Sequence, residues 1–210
     1  MLASRRDRQH THIEGMHSFG EMPFVGRTRE LQQAIQMLTG ARSGYGHALV
    51  VSGPGGIGKT RFAEEVAHGS QLLGAKVAIG RCWRDGEAPP LWPWRRILRE
   101  LDAPPSLLAE RRSDAGHERF SYFVAVLEYF RTASSGTSYL LVLDDVHLAD
   151  PATLLLARFL ARERQGLPLL LLLTRRDDTP SASAEVDTLL AELERDAVPL
   201  PLVGLSLIHI

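Results

Sequence analysis

The stretch SGPGGIGKTRF, residues Ser52–Phe62, decides how this sequence of 210 residues is interpreted. It satisfies the pattern G-x-x-x-x-G-K-[ST], with Gly53, Gly58, Lys59 and Thr60 at the fixed positions. The apolar run HALVVSG precedes the loop and a helical apolar pattern follows it, and the motif requires this context of strand, loop and helix. The stretch therefore predicts a loop that holds the phosphates of a nucleotide.

Each residue type in this loop has a physical task. Glycines let backbone N–H groups turn toward an anion, and the next helix presents its positive end to the same anion. Lys59 adds a compact charge on a thin stem, and it is one of two lysines among 24 basic side chains. Thr60 offers a hydroxyl to Mg²⁺. The predicted nucleotide-binding residues of the loop are Gly53, Pro54, Gly55, Gly56, Ile57, Gly58, Lys59 and Thr60.

Two adjacent aspartates end the apolar run YLLVLDD. An apolar strand that delivers a carboxylate beside a phosphate loop is the usual source of the Mg²⁺ ligand, and we assign this role to Asp144. Asp145 is then placed to polarise an attacking water as a general base. A structural loop acid is the alternative for Asp145.

A further polar segment, TRRD, follows the apolar run PLLLLL. Thr174 and Arg176 are candidates to contact the γ phosphate, Arg175 stays open, and an exposed rim arginine is the alternative. Guanine recognition commonly uses an N-K-x-D segment, which this sequence lacks. The predicted ligands are therefore ATP or ADP, with Mg²⁺.

Composition limits the function classes. A net charge of −1 creates no basic field, so we expect no direct nucleic-acid contact by this segment. The single cysteine, Cys82, excludes an internal disulfide framework and fits a reducing compartment. No apolar run has the length of a signal peptide or a membrane span, so the prediction is a cytoplasmic protein that does not enter the membrane.

Continuous apolar strands alternate with helical patterns along the chain. This alternation predicts an α/β fold: a three-layer P-loop NTPase with a mainly parallel five-stranded sheet. The first helix is expected between Thr28, as its N-cap, and Gly40, as its terminator. A helical insertion with two segments is expected between Pro89 and Ser135. Asp150 and Pro151 are predicted to begin a helix after the aspartate pair.

The two ends of the sequence differ from its centre. Residues 1–21 lack periodicity and are predicted to be a disordered leader, with Met16 and Met22 as alternative starts. The ATPase domain is predicted over residues 22–204. The last six residues, LSLIHI, match what one frame of a library adapter would encode, so 205–210 are predicted to be non-native.

Five segments occur together in an order known from one protein group: PFVGRTREL, VSGPGGIGKTRF, GRCWRDGEAPPLWPWRRIL, YLLVLDDVHLADPATLLLARFL and LLLLLTRRDD. Over Pro23–Gly204 the chain resembles the AAA+-related, STAND-type ATPase module of large LuxR-type bacterial transcriptional regulators. The resemblance implies that the Asp144 strand is separated from the phosphate-loop strand by the strand that ends at Thr174. It also implies that Arg27 lies near the adenine.

The resemblance carries further expectations about the whole protein. A lid domain, sensory repeats and a DNA-binding helix-turn-helix would follow Gly204, so this chain is expected to be an N-terminal fragment. The module would act as a slowly hydrolysing switch with nucleotide-dependent self-association, and DNA binding would come from the missing C-terminal part. Related modules are also fused to cyclase or kinase domains.

Two other function classes stay open at this point. One is a phosphotransferase that acts on a small acceptor, although paired aspartates beside the loop favour water as the acceptor. The other is a non-hydrolysing scaffold whose partner binds the helical insertion, where Trp92 and Trp94 could anchor an interface or pack in the core.

Overall fold

The computed structural model describes residues 26–83, 88–109, 116–132 and 136–204. The predicted leader and the predicted adapter-encoded tail lie outside these ranges, and so does Val25, which precedes Gly26.

A single five-stranded sheet forms the centre of the described chain, and its strands pair in parallel. The strands are β1 His47–Gly53, β2 Lys76–Arg81, β3 Tyr139–Asp144, β4 Leu169–Arg176 and β5 Val198–Pro201. Their order is β2-β3-β4-β1-β5. The predicted parallel five-stranded sheet is confirmed, and β4 separates β1 from β3 as the resemblance implied.

Strand residues face the two sides of the sheet in alternation. Leu141 and Leu143 pack with the helices on one side, whereas Leu140 and Val142 pack with the helices on the other. All of β3 is buried, as expected for a central strand of a parallel sheet that helices cover on both faces. The three-layer α/β architecture is therefore confirmed.

Seven α-helices lie in the described part of the chain. They are α1 Thr28–Ala41, α2 Lys59–Leu72, α3 Trp92–Glu100, α4 Pro105–Leu108, α5 Gly116–Thr132, α6 Pro151–Arg162 and α7 Ala184–Asp196. Helices α1 and α2 pack on one face of the sheet, and α3, α5, α6 and α7 pack on the other. No helix among the described residues has the length and apolarity to cross a membrane.

Helix ends match the expectations with small differences. Thr28, the predicted N-cap, is instead the first residue of α1: Arg27 holds the cap position without a side-chain bond, and the helix ends at Ala41, one residue beyond the predicted terminator Gly40. Helix α6 begins as predicted, because the Asp150 side chain accepts a hydrogen bond from the Thr153 N–H.

The helical insertion has one element more than predicted. Two segments were expected, and the structure adds the one-turn helix α4 between α3 and α5. Trp94 is fully buried, and its indole N–H donates to the Thr153 carbonyl at 3.0 Å. Trp92 is 38% exposed. Core packing therefore accounts for Trp94 and leaves part of Trp92 on the surface.

Candidate functional site

The carboxyl ends of β1, β4 and β3 bring the predicted site residues together. Gly53 ends β1, Asp144 ends β3, and Thr174 lies near the end of β4. Parallel strands place such residues at one edge of the sheet, where ligands of open α/β sheets bind. The phosphate loop runs from this edge into α2, whose first residue is Lys59.

Gly58 and Gly53 show why the loop contains glycine. Gly58 has φ 96° directly before α2, in the left-handed region that side chains other than glycine rarely adopt. A Cβ atom on Gly53 would lie 2.7 Å from the carbonyl oxygen of Leu202. The backbone after β5 thus approaches the start of the loop closely.

The Lys59 side chain is turned onto its own loop. It is only 6% exposed, and its Nζ donates to the carbonyl oxygens of Gly53 and Pro54 at 2.8 Å each. Burial lowers the pKa of Lys59 most strongly, and the Arg176 charge lowers it further. The pKa is raised in part by three carboxylates: Asp145, Asp177 and Asp178. The ammonium therefore lies inside the loop, among groups of both signs.

Asp144 connects three elements. The Thr60 hydroxyl of α2 lies 3.2 Å and 3.1 Å from its two carboxylate oxygens, and the Thr174 hydroxyl of β4 donates to Oδ1 at 2.5 Å. Arg81 of β2 adds an ion pair, with Nε 3.6 Å from Oδ2. Asp144 is 4% exposed. A hydroxyl and a carboxylate at this separation are oxygen donors of the kind Mg²⁺ prefers.

Asp145 follows directly and has an unusual backbone. Its φ of 59° and ψ of 46° are left-handed, and its N–H donates to the Thr174 hydroxyl at 2.9 Å. Its side chain is 30% exposed, and Arg176 Nε lies 3.9 Å from its Oδ1. Asp145, predicted as the general base, and Arg176, predicted to act on the γ phosphate, are therefore neighbours, and both catalytic roles stay predictions.

A buried histidine lies beside this pair. His147 Nδ1 accepts a hydrogen bond from the Arg176 N–H at 3.4 Å and lies 3.8 Å from Asp145 Oδ1. His147 therefore connects the segment after β3 to the end of β4.

The two arginines of TRRD point to different places. Arg175 Nη1 binds Glu194 of α7 at 2.7 Å. The Arg176 guanidinium lies close to Gly55, because a Cβ atom added to that glycine would be 3.7 Å from Arg176 Nη1. Arg176 is thus the arginine beside the phosphate loop, and its contact with the γ phosphate stays a prediction.

Arg27 contacts the back of the loop. Its guanidinium is buried and donates to the carbonyl oxygens of Ile57 at 3.2 Å and Val203 at 3.1 Å. It therefore ties the start of α1 to the loop and to the segment after β5. A contact between Arg27 and adenine stays a prediction.

Sequence reasoning missed two residues of this region. Arg81 pairs with Asp144 because β2 and β3 are in parallel register at these residues. Asp178 accepts a hydrogen bond from the Gly55 N–H at 2.8 Å. In the sequence, the feature that points to Arg81 is its position at the end of a predicted strand. The feature that points to Asp178 is the pair of acidic residues after TRR.

Solved structures with the same fold include that of an Aeropyrum pernix protein, "ORC2 protein (ADPNP-ADP complexes)". It shares 21% identity over 84% of this chain and 47% of its own, with a TM-score of 0.53. A second is "Drosophila ORC bound to DNA", with 15% identity over 95% of this chain and 52% of its own, and a TM-score of 0.54.

A curated relative is an uncharacterized protein of Rhizobium meliloti, 28% identical over 90 residues. The match covers 42% of this chain and 9% of that protein. The chain thus spans about half the length of the two solved structures and a small part of the curated relative.

The family comparison covers the phosphate loop, the aspartate pair and the first half of β4. The sequence pattern described as "AAA ATPase domain" matches residues 23–172, which is more than half of the chain. The fold, with β4 between the phosphate-loop strand and the aspartate strand, agrees with this match. The chain therefore belongs to the AAA ATPase domain family.

Proposed function

We propose that the chain is an ATP-binding, slowly ATP-hydrolysing switch module of a multidomain signalling or transcription regulator of the LuxR type. The observation that carries this proposal is the linkage of Asp144 to Thr60 and Thr174 beside a glycine-rich phosphate loop. The three residues belong to three different elements, so a ligand held there contacts α2, β3 and β4 together.

The residues present fit Mg²⁺ and a nucleotide. Thr60 and Asp144 would hold the ion, and the described residues contain no group of three or more His, Cys, Asp or Glu that could form a separate metal cage. A Mg²⁺ ion of this type takes its other ligands from nucleotide phosphates and water. Bound there, it would neutralise charge on the transferred phosphoryl group.

Lys59 and the loop amides would bind the phosphates. Lys59 already lies inside the loop, where its Nζ contacts two neutral carbonyl oxygens, and an anionic phosphate would bind the ammonium more strongly than they do. The N–H groups at the start of α2 add the positive end of the helix.

Asp145 would accept a proton from the attacking water. Its backbone N–H is fixed by Thr174, and its side chain is exposed enough to contact solvent. Thr174 also donates to Asp144, so one hydroxyl links the proposed base to the proposed metal ligand. Arg176 lies beside Asp145 and the loop, where a guanidinium would stabilise phosphate charge.

The switch role follows from this linkage. Hydrolysis would change what Thr60, Asp144 and Thr174 contact, and that change would reach the strand ends and the start of α2. The regulatory output and any DNA binding would be properties of the whole protein. The fold is shared with the Aeropyrum pernix protein, whose complexes contain ADPNP and ADP.

The test is phosphate release by the purified 210-residue chain with Mg·ATP, measured with and without candidate small acceptors. We expect slow phosphate release that does not depend on an acceptor. ADP formation that requires an acceptor would contradict the switch and favour a phosphotransferase.

A further inference from the structure

One side chain already occupies a phosphate-loop amide. Asp178 Oδ2 accepts a hydrogen bond from the Gly55 N–H at 2.8 Å, and its other oxygen accepts from the Thr179 hydroxyl at 3.2 Å. A carboxylate oxygen is an anionic acceptor of the same kind as a phosphate oxygen. Asp178 therefore accepts the hydrogen bond from the Gly55 N–H that a nucleotide phosphate bound there would accept.

The backbone holds Asp178 at this position. Gly53 and Arg176 are paired in the parallel register of β1 and β4, and the Asp177 N–H donates to the Gly53 carbonyl at 3.4 Å. The segment after β4 therefore runs beside the start of the loop. Asp178 reaches Gly55 as a consequence of the sheet pairing, two residues beyond the end of β4.

The charges around this contact favour it. The Gly55 hydrogen bond is the main cause that lowers the pKa of Asp178, and the nearby Lys59 charge lowers it further. Asp178 is exposed, so its carboxylate can move into water when another anion takes the amide. The Asp178–Gly55 hydrogen bond is thus favoured in the absence of another anion, and an anion that binds the Gly55 N–H can displace the carboxylate.

We propose that Asp178 is a specificity-determining residue that competes with nucleotide phosphate for the Gly55 amide and weakens ATP binding more than ADP binding. The inference rests on the proposed nucleotide site. A nucleotide that uses this amide must displace the carboxylate, which then stays near the loop as a negative charge. ATP carries one more negative charge than ADP, so the repulsion is larger for ATP.

The test compares dissociation constants for Mg·ATP and Mg·ADP by calorimetry, in the wild-type chain and three variants. Asp178→Ala removes both the acceptor and the charge, and Asp178→Asn keeps an acceptor without the charge. Asp177→Asn is the matched control, since it removes the adjacent charge, and no bond from the Asp177 side chain to a loop amide is present in the described structure.

We expect Asp178→Ala to bind Mg·ATP about tenfold more tightly and Mg·ADP about threefold more tightly than the wild type. Asp178→Asn should gain less than Asp178→Ala, because its amide oxygen still competes for Gly55. Asp177→Asn should stay within about twofold of the wild type. The gain of Asp178→Ala should shrink at high salt, because the exposed charge is screened.

Unchanged or weaker ATP binding by Asp178→Ala would overturn the proposal, as would an equal gain for ATP and ADP. A gain of the same size in Asp177→Asn would also overturn it, because general charge removal would then explain the effect. If neither the wild type nor Asp178→Ala binds nucleotide, the proposed function itself fails. The two failures are therefore distinguishable.

Discussion

At the scale of single residues, the hydroxyl of Thr174 holds both aspartates of the pair in place. It donates to Asp144 Oδ1 and accepts from the Asp145 N–H, so it fixes two consecutive residues at the end of β3. Thr174 is fully buried, and water cannot replace either bond without a rearrangement. Its removal would leave a buried carboxylate short of a donor.

We predict that Thr174→Val, which keeps the shape and removes the hydroxyl, lowers the free energy of unfolding by about 1–3 kcal/mol. Urea denaturation measures this change. Thr188→Val is the control, because Thr188 is exposed on α7, and we expect its change to stay within about 0.5 kcal/mol. Equal stability of the two variants would contradict the central position of Thr174.

Asp145→Asn tests the proposed general base. Asparagine has nearly the same size and tolerates the left-handed backbone of this position, so the fold and nucleotide binding should persist. Phosphate release should fall by about 100-fold or more, since general-base catalysis contributes that much. Steady-state turnover and calorimetric affinity measure the two effects separately, and unchanged turnover would remove Asp145 from this role.

Sequence alone predicted residues whose task is set by the local motif. Lys59 and Thr60 follow from the loop pattern, and Asp144 and Thr174 follow from their places at strand ends. The contacts of Arg81 and Asp178 could not be predicted in this way. The Arg81 contact depends on which strand lies beside β3, and the Asp178 contact depends on the path of the chain after β4.

At the scale of elements, Asp150 joins two helices. Its carboxylate accepts from the Thr153 N–H at 3.0 Å and from the Thr153 hydroxyl at 2.5 Å, which begins α6. It also accepts from the Leu91 N–H, at 3.3 Å for the nearer oxygen, and Leu91 directly precedes α3. The helical insertion is thus attached to the region after the aspartate pair.

We predict that Asp150→Ala lowers the free energy of unfolding by about 1–2 kcal/mol, because α6 loses its cap and Leu91 loses its acceptor. Ser183→Ala is the matched control, since Ser183 caps α7 with one bond of 3.3 Å. Chemical denaturation should show a smaller loss for Ser183→Ala. A loss in Ser183→Ala as large as in Asp150→Ala would contradict the double role of Asp150.

Elements with strong sequence patterns were predictable, and short ones were not. The buried strands and α6 follow from continuous apolar runs and a polar cap, and the structure agrees. Helix α4 has four residues, which is too short for a helical periodicity to appear in the sequence. Proline at its first position is compatible with a turn as well as with a helix.

At the scale of the whole molecule, the order of the strands in the sheet brings the site residues together. Periodicity predicts parallel strands without their order, because apolar runs of equal length are interchangeable. The family resemblance implied that β4 lies between β1 and β3, and the structure has this order. Only in this order can Thr174 contact Asp144 while Gly53 pairs with Arg176.

The central claim is that this loop and the edge of the sheet bind Mg·ATP, and calorimetric titration tests it most directly. Lys59→Ala removes the ammonium inside the loop, whereas Lys76→Ala removes the other lysine of the chain, which is exposed on β2. We predict saturable Mg·ATP binding by the wild type and by Lys76→Ala, and no measurable binding by Lys59→Ala. Equal affinity of the wild type and Lys59→Ala would contradict the account.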